Sequence, residues 1–182
     1  MIKRCLLLPF IFLISCSGVQ ERSSDYENSI LHEAVKQHDI KKIESILLQG
    51  SPVDIKDEKG YTPLHLAAII DSPKVIKLLL DKGADIESNS NYSYTPLHMA
   101  SFNGNIASMK VLIENKANLN SRSSYGFTPL HNAVYSGKIN AVELLIKSGC
   151  IIDAEDKEGR TPLFFSRQKN YEDIEKLLIR DM

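Results

Sequence analysis

The sequence predicts an all-α repeat solenoid, in which helix-turn-helix units with an extended finger loop stack along one axis. Three observations carry this. The phrase Thr62-Pro63-Leu64-His65 returns as Thr95-Pro96-Leu97-His98, Thr128-Pro129-Leu130-His131 and Thr161-Pro162-Leu163-Phe164, each copy 33 residues after the last. A blurred earlier copy, Ser29-Ile30-Leu31-His32, falls in the same register. Between copies, apolar residues recur at helical spacing and then give way to a polar stretch. A fixed period of this size is the signature of one supersecondary unit repeated in a stack. Such a stack presents a long surface, so a binding face is sought before a catalytic pocket.

The third unit, Ser93 to Asn120, illustrates the local logic. Thr95 suits an N-cap, because its hydroxyl can accept from a free amide of the first turn. Pro96 then occupies the first helical position, where its missing N–H is no loss. Leu97 and Ala100 follow at helical spacing, and Gly104 ends the helix. Other units place His38, Asp71, Gly137 and Asn170 there, residue types that tolerate a left-handed or bridging backbone better than most. A second helix carries Ile106, Met109, Leu112 and Ile113 on one face. Lys116-Ala117 closes it, in register with Gly50-Ser51, Gly83-Ala84 and Gly149-Cys150, whose glycines are helix-stop signals. An extended polar finger leads to the next Thr-Pro.

Gly60-Tyr61-Thr62-Pro63-Leu64-His65-Leu66-Ala67-Ala68, followed by Leu78-Leu79-Leu80-Asp81-Lys82-Gly83-Ala84-Asp85, resembles the ankyrin repeat. The resemblance covers residues 27–182, in repeats at about 27–59, 60–92, 93–125, 126–158 and 159–182. Repeat one lacks Thr-Pro, and repeat five has Phe164 in place of the histidine. Repeat five also puts Ser166 where others have alanine and Glu172 where others have Ile40, Pro73, Ile106 or Ile139. Glu175 stands where others have Ile43, Ile76, Met109 or Val142. A terminal unit has no neighbour to bury one side, so charge at these positions marks a C-terminal cap.

The first residues do not belong to the repeat. Lys3 and Arg4 form a basic start, and Cys5 to Ile14 is an apolar run broken only by Pro9. It is shorter than the ~20 residues of a bilayer span and suits the apolar region of a signal peptide. Leu13-Ile14-Ser15-Cys16 resembles the lipobox of bacterial lipoproteins. That resemblance implies cleavage before Cys16 and acylation of its thiol and new amino group. The alternative is an ordinary secretory signal cut a few residues later, with an incidental cysteine. The expected division is residues 1–15 as signal, 16–27 as acylated cysteine and tether, and 28–182 as repeat domain. The tether, polar and without periodicity, would span roughly 15–20 Å as a flexible coil. Anchoring places the chain in the cell envelope; Ser17 where some lipoproteins carry an inner-membrane retention aspartate leans towards the outer membrane.

With Cys5 removed and Cys16 acylated, Cys150 is the sole cysteine left of three, so the mature chain has no internal disulfide. It aligns with Ser51, Ala84 and Ala117 and reads as a small buried residue. The net charge is −1, with no basic block or tail. Binding to nucleic acid through phosphate neutralisation therefore has no footprint.

His32, His65, His98 and His131 stand in register. Helices packed in adjacent units lie about 8–10 Å apart, whereas each ligand of a zinc ion approaches it to about 2 Å. One histidine per unit thus makes a ladder of separate positions. In ankyrin repeats this histidine bonds the threonine of its own phrase and the backbone; His38, at a helix turn, reads as exposed. His32-Glu33 begins like a zincin helix, but Lys36 occupies the second histidine's place. Asp153, Glu155 and Asp156 before Gly159 lack the spacing and bidentate residue of a calcium loop. No nucleophile elbow, phosphate loop or Cys-x-x-Cys occurs, so neither enzyme activity, a metal nor a cofactor is expected.

The ankyrin resemblance implies partner contacts at finger tips and at the exposed end of each first helix. Carried over, these positions are Lys36 and Gln37 in repeat one, and Glu58, Lys59, Tyr61, Ile69 and Ile70 in repeat two. Repeat three supplies Asn91, Tyr92, Tyr94, Phe102 and Asn103; repeat four supplies Ser124, Tyr125, Phe127, Tyr135 and Ser136. Lys157, Glu158, Arg160, Gln168 and Lys169 follow in repeat five. Rigid rings bury large area at low entropic cost, which makes them anchors of protein interfaces. The partner-binding candidates are accordingly Tyr61, Ile69, Tyr92, Tyr94, Phe102, Tyr125, Phe127 and Tyr135. Packing of Tyr61, Tyr94 and Phe127 on a neighbouring finger, and of Ile69 on a helix, is the competing use. Lys41, Lys42, Lys74, Lys77 and Lys110 on second helices read as a solvated face.

The function expected is a non-catalytic protein–protein interaction module, monomeric, with a protein partner of unknown identity and a membrane attachment through Cys16. The alternatives are an inhibitor or immunity-type protein that blocks an envelope enzyme or toxin, and a host-directed effector. Acylation would retain the chain and argues against the last.

Overall fold

Each Thr-Pro pair starts a helix. The computed structural model describes residues 30–181; the signal, Cys16 and the tether lie outside the described residues. Helix α1 is described over residues 30–36 and is followed by α2 (Ile40–Leu48). The next pairs are α3 (Pro63–Ile69) with α4 (Pro73–Asp81), and α5 (Pro96–Asn103) with α6 (Ile106–Glu114). They continue as α7 (Pro129–Tyr135) with α8 (Ile139–Lys147), and α9 (Pro162–Gln168) with α10 (Glu172–Asp181). Thr62, Thr95, Thr128 and Thr161 are N-caps in extended conformation, and proline occupies the first turn behind each. Among the described residues there is no strand, and no helix is long and apolar enough to cross a membrane.

The helices form two layers. The first helices pack side by side, α3 on α5, α5 on α7 and α7 on α9, while α4, α6, α8 and α10 form a parallel outer row. The core between them is itself periodic. Leu31, Leu64, Leu97 and Leu130 occupy one position of the repeat and are all buried. So are Ala34, Ala67, Ala100 and Ala133, and so are Ile43, Ile76, Met109 and Val142. Burying one of these leucine, isoleucine, methionine or valine side chains stabilises by roughly 1.5–3 kcal/mol, and no single repeat could achieve it alone. Lys41, Lys42, Lys74, Lys77 and Lys110 are exposed, as a solvated face requires.

The turn between the two helices needs a left-handed residue in every unit, and the sequence supplies tolerant types. His38, Asp71, Gly104, Gly137 and Asn170 have φ of 54°, 52°, 74°, 68° and 57°. Two of them also bind across repeats: Asp71 Oδ1 accepts from the Ser108 amide at 2.9 Å, and His38 Nδ1 bonds Ser72 Oγ at 2.8 Å. His38 is exposed, yet it is joined to the next unit.

The fingers are tight turns closed by a side chain at one repeat position. Asp57 accepts from the Lys59 and Tyr61 amides, and Asp156 from those of Glu158 and Arg160. Ser90 and Ser123 perform the same task for Tyr94 and Phe127. Burial raises the Asp156 carboxyl pKa. Hydrogen bonds from the Arg160 amide, the Arg160 side chain and the Glu158 amide outweigh this and hold it below the usual range. Adjacent fingers are tied by backbone bonds, from Asn91 to Lys59, Ser124 to Tyr92 and Lys157 to Tyr125, at 2.8–3.1 Å.

The two ends of the described stack carry charge where inner repeats carry none. Lys42 is exposed at the position of the buried Val75, Ser108, Ala141 and Ile174. Glu175 pairs with Arg167 at 2.8 Å at the position of the fully buried Ile43, Ile76, Met109 and Val142.

Repeat three carries a local flaw. The Ser101 and Ser108 hydroxyls are buried without a hydrogen-bond partner, at positions where neighbouring repeats have Ala68 and Ala141. A buried unsatisfied hydroxyl costs about 1–3 kcal/mol. Ser101→Ala and Ser108→Ala should therefore each stabilise the fold by about 1 kcal/mol, read as a higher urea midpoint. An unchanged or lower midpoint would show that these hydroxyls are satisfied in solution.

Candidate partner-binding surface

The histidine ladder sets the geometry of the concave face. His65 Nδ1 accepts from the Thr62 amide at 3.2 Å and meets the Thr62 hydroxyl at 2.9 Å. A backbone amide can only donate, so Nδ1 carries no proton and Nε2–H is the donor. It donates to the Tyr94 carbonyl at 2.8 Å, in the next repeat's finger. His98 repeats this with Thr95 and the Phe127 carbonyl, and His131 with Thr128 and the Arg160 carbonyl. His32 Nε2 bonds the Tyr61 carbonyl at 2.9 Å. Burial disfavours the imidazolium and lowers the pKa of His65 and His98 to about 4, and that of His131 in the same direction. Among the described residues no group of three or more His, Cys, Asp or Glu is placed to hold a metal ion.

Three of the four finger residues pinned by their carbonyls also pack a ring against the next histidine. Tyr61 sits 5.5 Å from His65, Tyr94 5.5 Å from His98 and Phe127 5.3 Å from His131, centroid to centroid. Tyr61, Tyr94 and Phe127 are therefore half-buried wall residues: one face packs inwards and the other borders a groove of about 600 Å³. Phe102 and Tyr135, 44% and 40% exposed at the ends of α5 and α7, line the same groove. Five of the eight expected contact residues thus meet on one surface.

The other three do not. Tyr92 and Tyr125 stack on each other at the finger tips, 5.9 Å apart and 58% and 53% exposed, and neither lines the groove. Ile69 is half-buried and borders a neighbouring concavity over repeats one and two, among Glu33, Lys36, Lys56 and Lys59, which Tyr61 also lines. The sequence reading also missed Met99, Asn132 and Phe165, which form the groove floor. They share one repeat position with Leu66, directly after the histidine, so helical periodicity assigns them to the core. Phe165 joins Phe127 at 5.3 Å and Tyr135 at 5.8 Å in a three-ring cluster. Arg160 lies over Phe165, and Lys169 over Tyr135 with Nζ 4.5 Å from the ring centroid.

A family model described as ankyrin repeats (3 copies) matches residues 31–123 and again 118–182. The chain belongs to the ankyrin-repeat family. No curated protein matches it. Ankyrin repeats are protein–protein interaction modules and typically non-catalytic, and the arrangement here agrees in character: a rigid scaffold with rings along one concave side. Cys150, the free cysteine among the described residues, is buried, and burial pushes its thiol up to about 11. It fills a core position as a neutral group.

Two outcomes are expected of this ankyrin domain. Above pH 6.5 His65, His98 and His131 are neutral in both folded and unfolded chains. As pH falls towards about 4, the unfolded chain takes up protons while folded His65 and His98 do not. Stability should therefore fall with acidification through this window, by at most about 1.4 kcal/mol per pH unit for each histidine. NMR titration should find their rings titrating near 4; midpoints near 6.5 would refute the neutral ladder. In the same spirit, Cys150 in the folded protein should resist an aromatic disulfide reagent at pH 8 and react within seconds in denaturant. Equal rates would mean the thiol is accessible.

Proposed function

We propose that the mature chain is a non-catalytic adaptor, secreted and held at a membrane by acylated Cys16, that grips a protein partner in its aromatic groove. The observation that carries this is the convergence of Tyr94, Phe102, Phe127 and Tyr135 on one groove, walled by backbone-pinned fingers. Partly exposed rings on a rigid frame lose little entropy on binding, which is how interface anchors gain affinity. Tyr92 and Tyr125, stacked on the neighbouring finger tips, extend the contact beyond the groove. A non-catalytic reading is supported by the histidines, whose two ring nitrogens are engaged in the scaffold at His65, His98 and His131. The basic Lys3-Arg4 start, the apolar run and Leu13-Ile14-Ser15-Cys16 support export and acylation. With its second helices solvated and its ends polar, the chain is read as a monomer.

Phe102→Ala with Tyr135→Ala should remove capture of the partner from an envelope extract while leaving the melting curve within a few degrees of wild type, since both rings are partly exposed. Retained capture by the folded double variant would overturn the groove assignment. Metabolic acyl labelling should be lost in Cys16→Ala, and labelling at the wild-type level would overturn the anchor.

A further inference from the structure

We infer that the groove takes a partner segment in which an aromatic or aliphatic side chain is followed within about three residues by an acidic one, whose carboxylate meets Lys169. This rests on the groove being the partner site. The charges around the concave face support it. Over repeats one and two the concavity is balanced, with Glu33, Asp57 and Glu58 set among Lys36, Lys56 and Lys59. The aromatic groove is different: no carboxylate lines it, and Arg160 is the charged residue among its lining. Arg160 is already neutralised, by Asp156 at 2.8 Å and Glu158 at 2.6 Å.

Lys169 is not neutralised. It makes no ion pair among the described residues and stands over the exposed ring of Tyr135. On a chain of net charge −1, the uncompensated charge beside the apolar groove is therefore positive. The cation–π contact limits the wandering of the ammonium, so less entropy is lost when a carboxylate arrives. A side chain packed against the Phe127–Tyr135–Phe165 cluster leaves the backbone a short step from Nζ, which about three extended residues cover at ~3.3–3.6 Å each. Like charge at that place would repel, which makes Lys169 a selector as well as a contact.

The test is a display library of random twelve-residue peptides selected on the full-length chain in detergent. Enriched peptides should pair an aromatic or aliphatic residue with Asp or Glu within about three positions. Their binding to Lys169→Glu should weaken roughly tenfold and recover when the acidic residue is replaced by lysine. Peptides lacking an acidic preference, or indifferent to Lys169→Glu, would overturn the inference. If such peptides are nevertheless lost on Phe102→Ala with Tyr135→Ala, the groove stands and only its charge preference fails. If that double variant selects the same acidic peptides as wild type, the groove itself is wrong; absence of any enrichment counts against both.

Discussion

The structure hangs on one hydrogen bond made again in each of the first four repeats, from a histidine Nε2–H to a carbonyl 29 residues further along the chain. Packing alone would let neighbouring units slide, because leucine and alanine faces tolerate small displacements. A directional bond to a buried donor does not, since leaving it unmade costs the full desolvation of the group. In repeats two, three and four the threonine before the proline completes the device by occupying Nδ1, so the proton has one place to be. A single four-residue phrase therefore caps a helix, fixes a tautomer and registers the next repeat.

The same bond connects the scaffold to the binding surface. The accepting carbonyls belong to Tyr61, Tyr94, Phe127 and Arg160, the residues whose side chains wall the concave side. Backbone is pinned by the histidine of the preceding unit, and the Tyr61, Tyr94 and Phe127 rings rest on the histidine of their own. Scaffold and site are thus continuous. In the fifth repeat Phe164 replaces the histidine, and its ring turns edge-on to Phe165 at 5.4 Å instead of making a polar link.

Much of this was legible in the sequence. The caps at Thr62, Thr95, Thr128 and Thr161 follow from residue type, as does the left-handed row from His38 to Asn170. Phe102 and Tyr135 were visible because the ankyrin resemblance carries partner contacts to the exposed end of each first helix, where these two rings fall. The floor residues Met99, Asn132 and Phe165 were not, because a position that is both packed and groove-facing has the periodicity of the core. Nor could spacing separate Tyr92 and Tyr125 from the groove, since a finger's lateral offset leaves no mark on a 33-residue period. The placement of Lys169 over Tyr135 depends on the path of a long flexible side chain, which pattern does not encode.

The ties between neighbouring fingers have a consequence for how such a chain can change. From Lys59 to Asn91, Tyr92 to Ser124 and Tyr125 to Lys157, the bond joins backbone to backbone and is indifferent to side chains. A finger can therefore exchange its tip residues, as Lys59, Tyr92, Tyr125 and Glu158 already do at one repeat position, without renegotiating its hold on the next. Architecture and vocabulary are written in separate atoms. New recognition can be acquired one tip at a time, and a duplicated unit of 33 residues would lengthen the groove by one step with every tie intact.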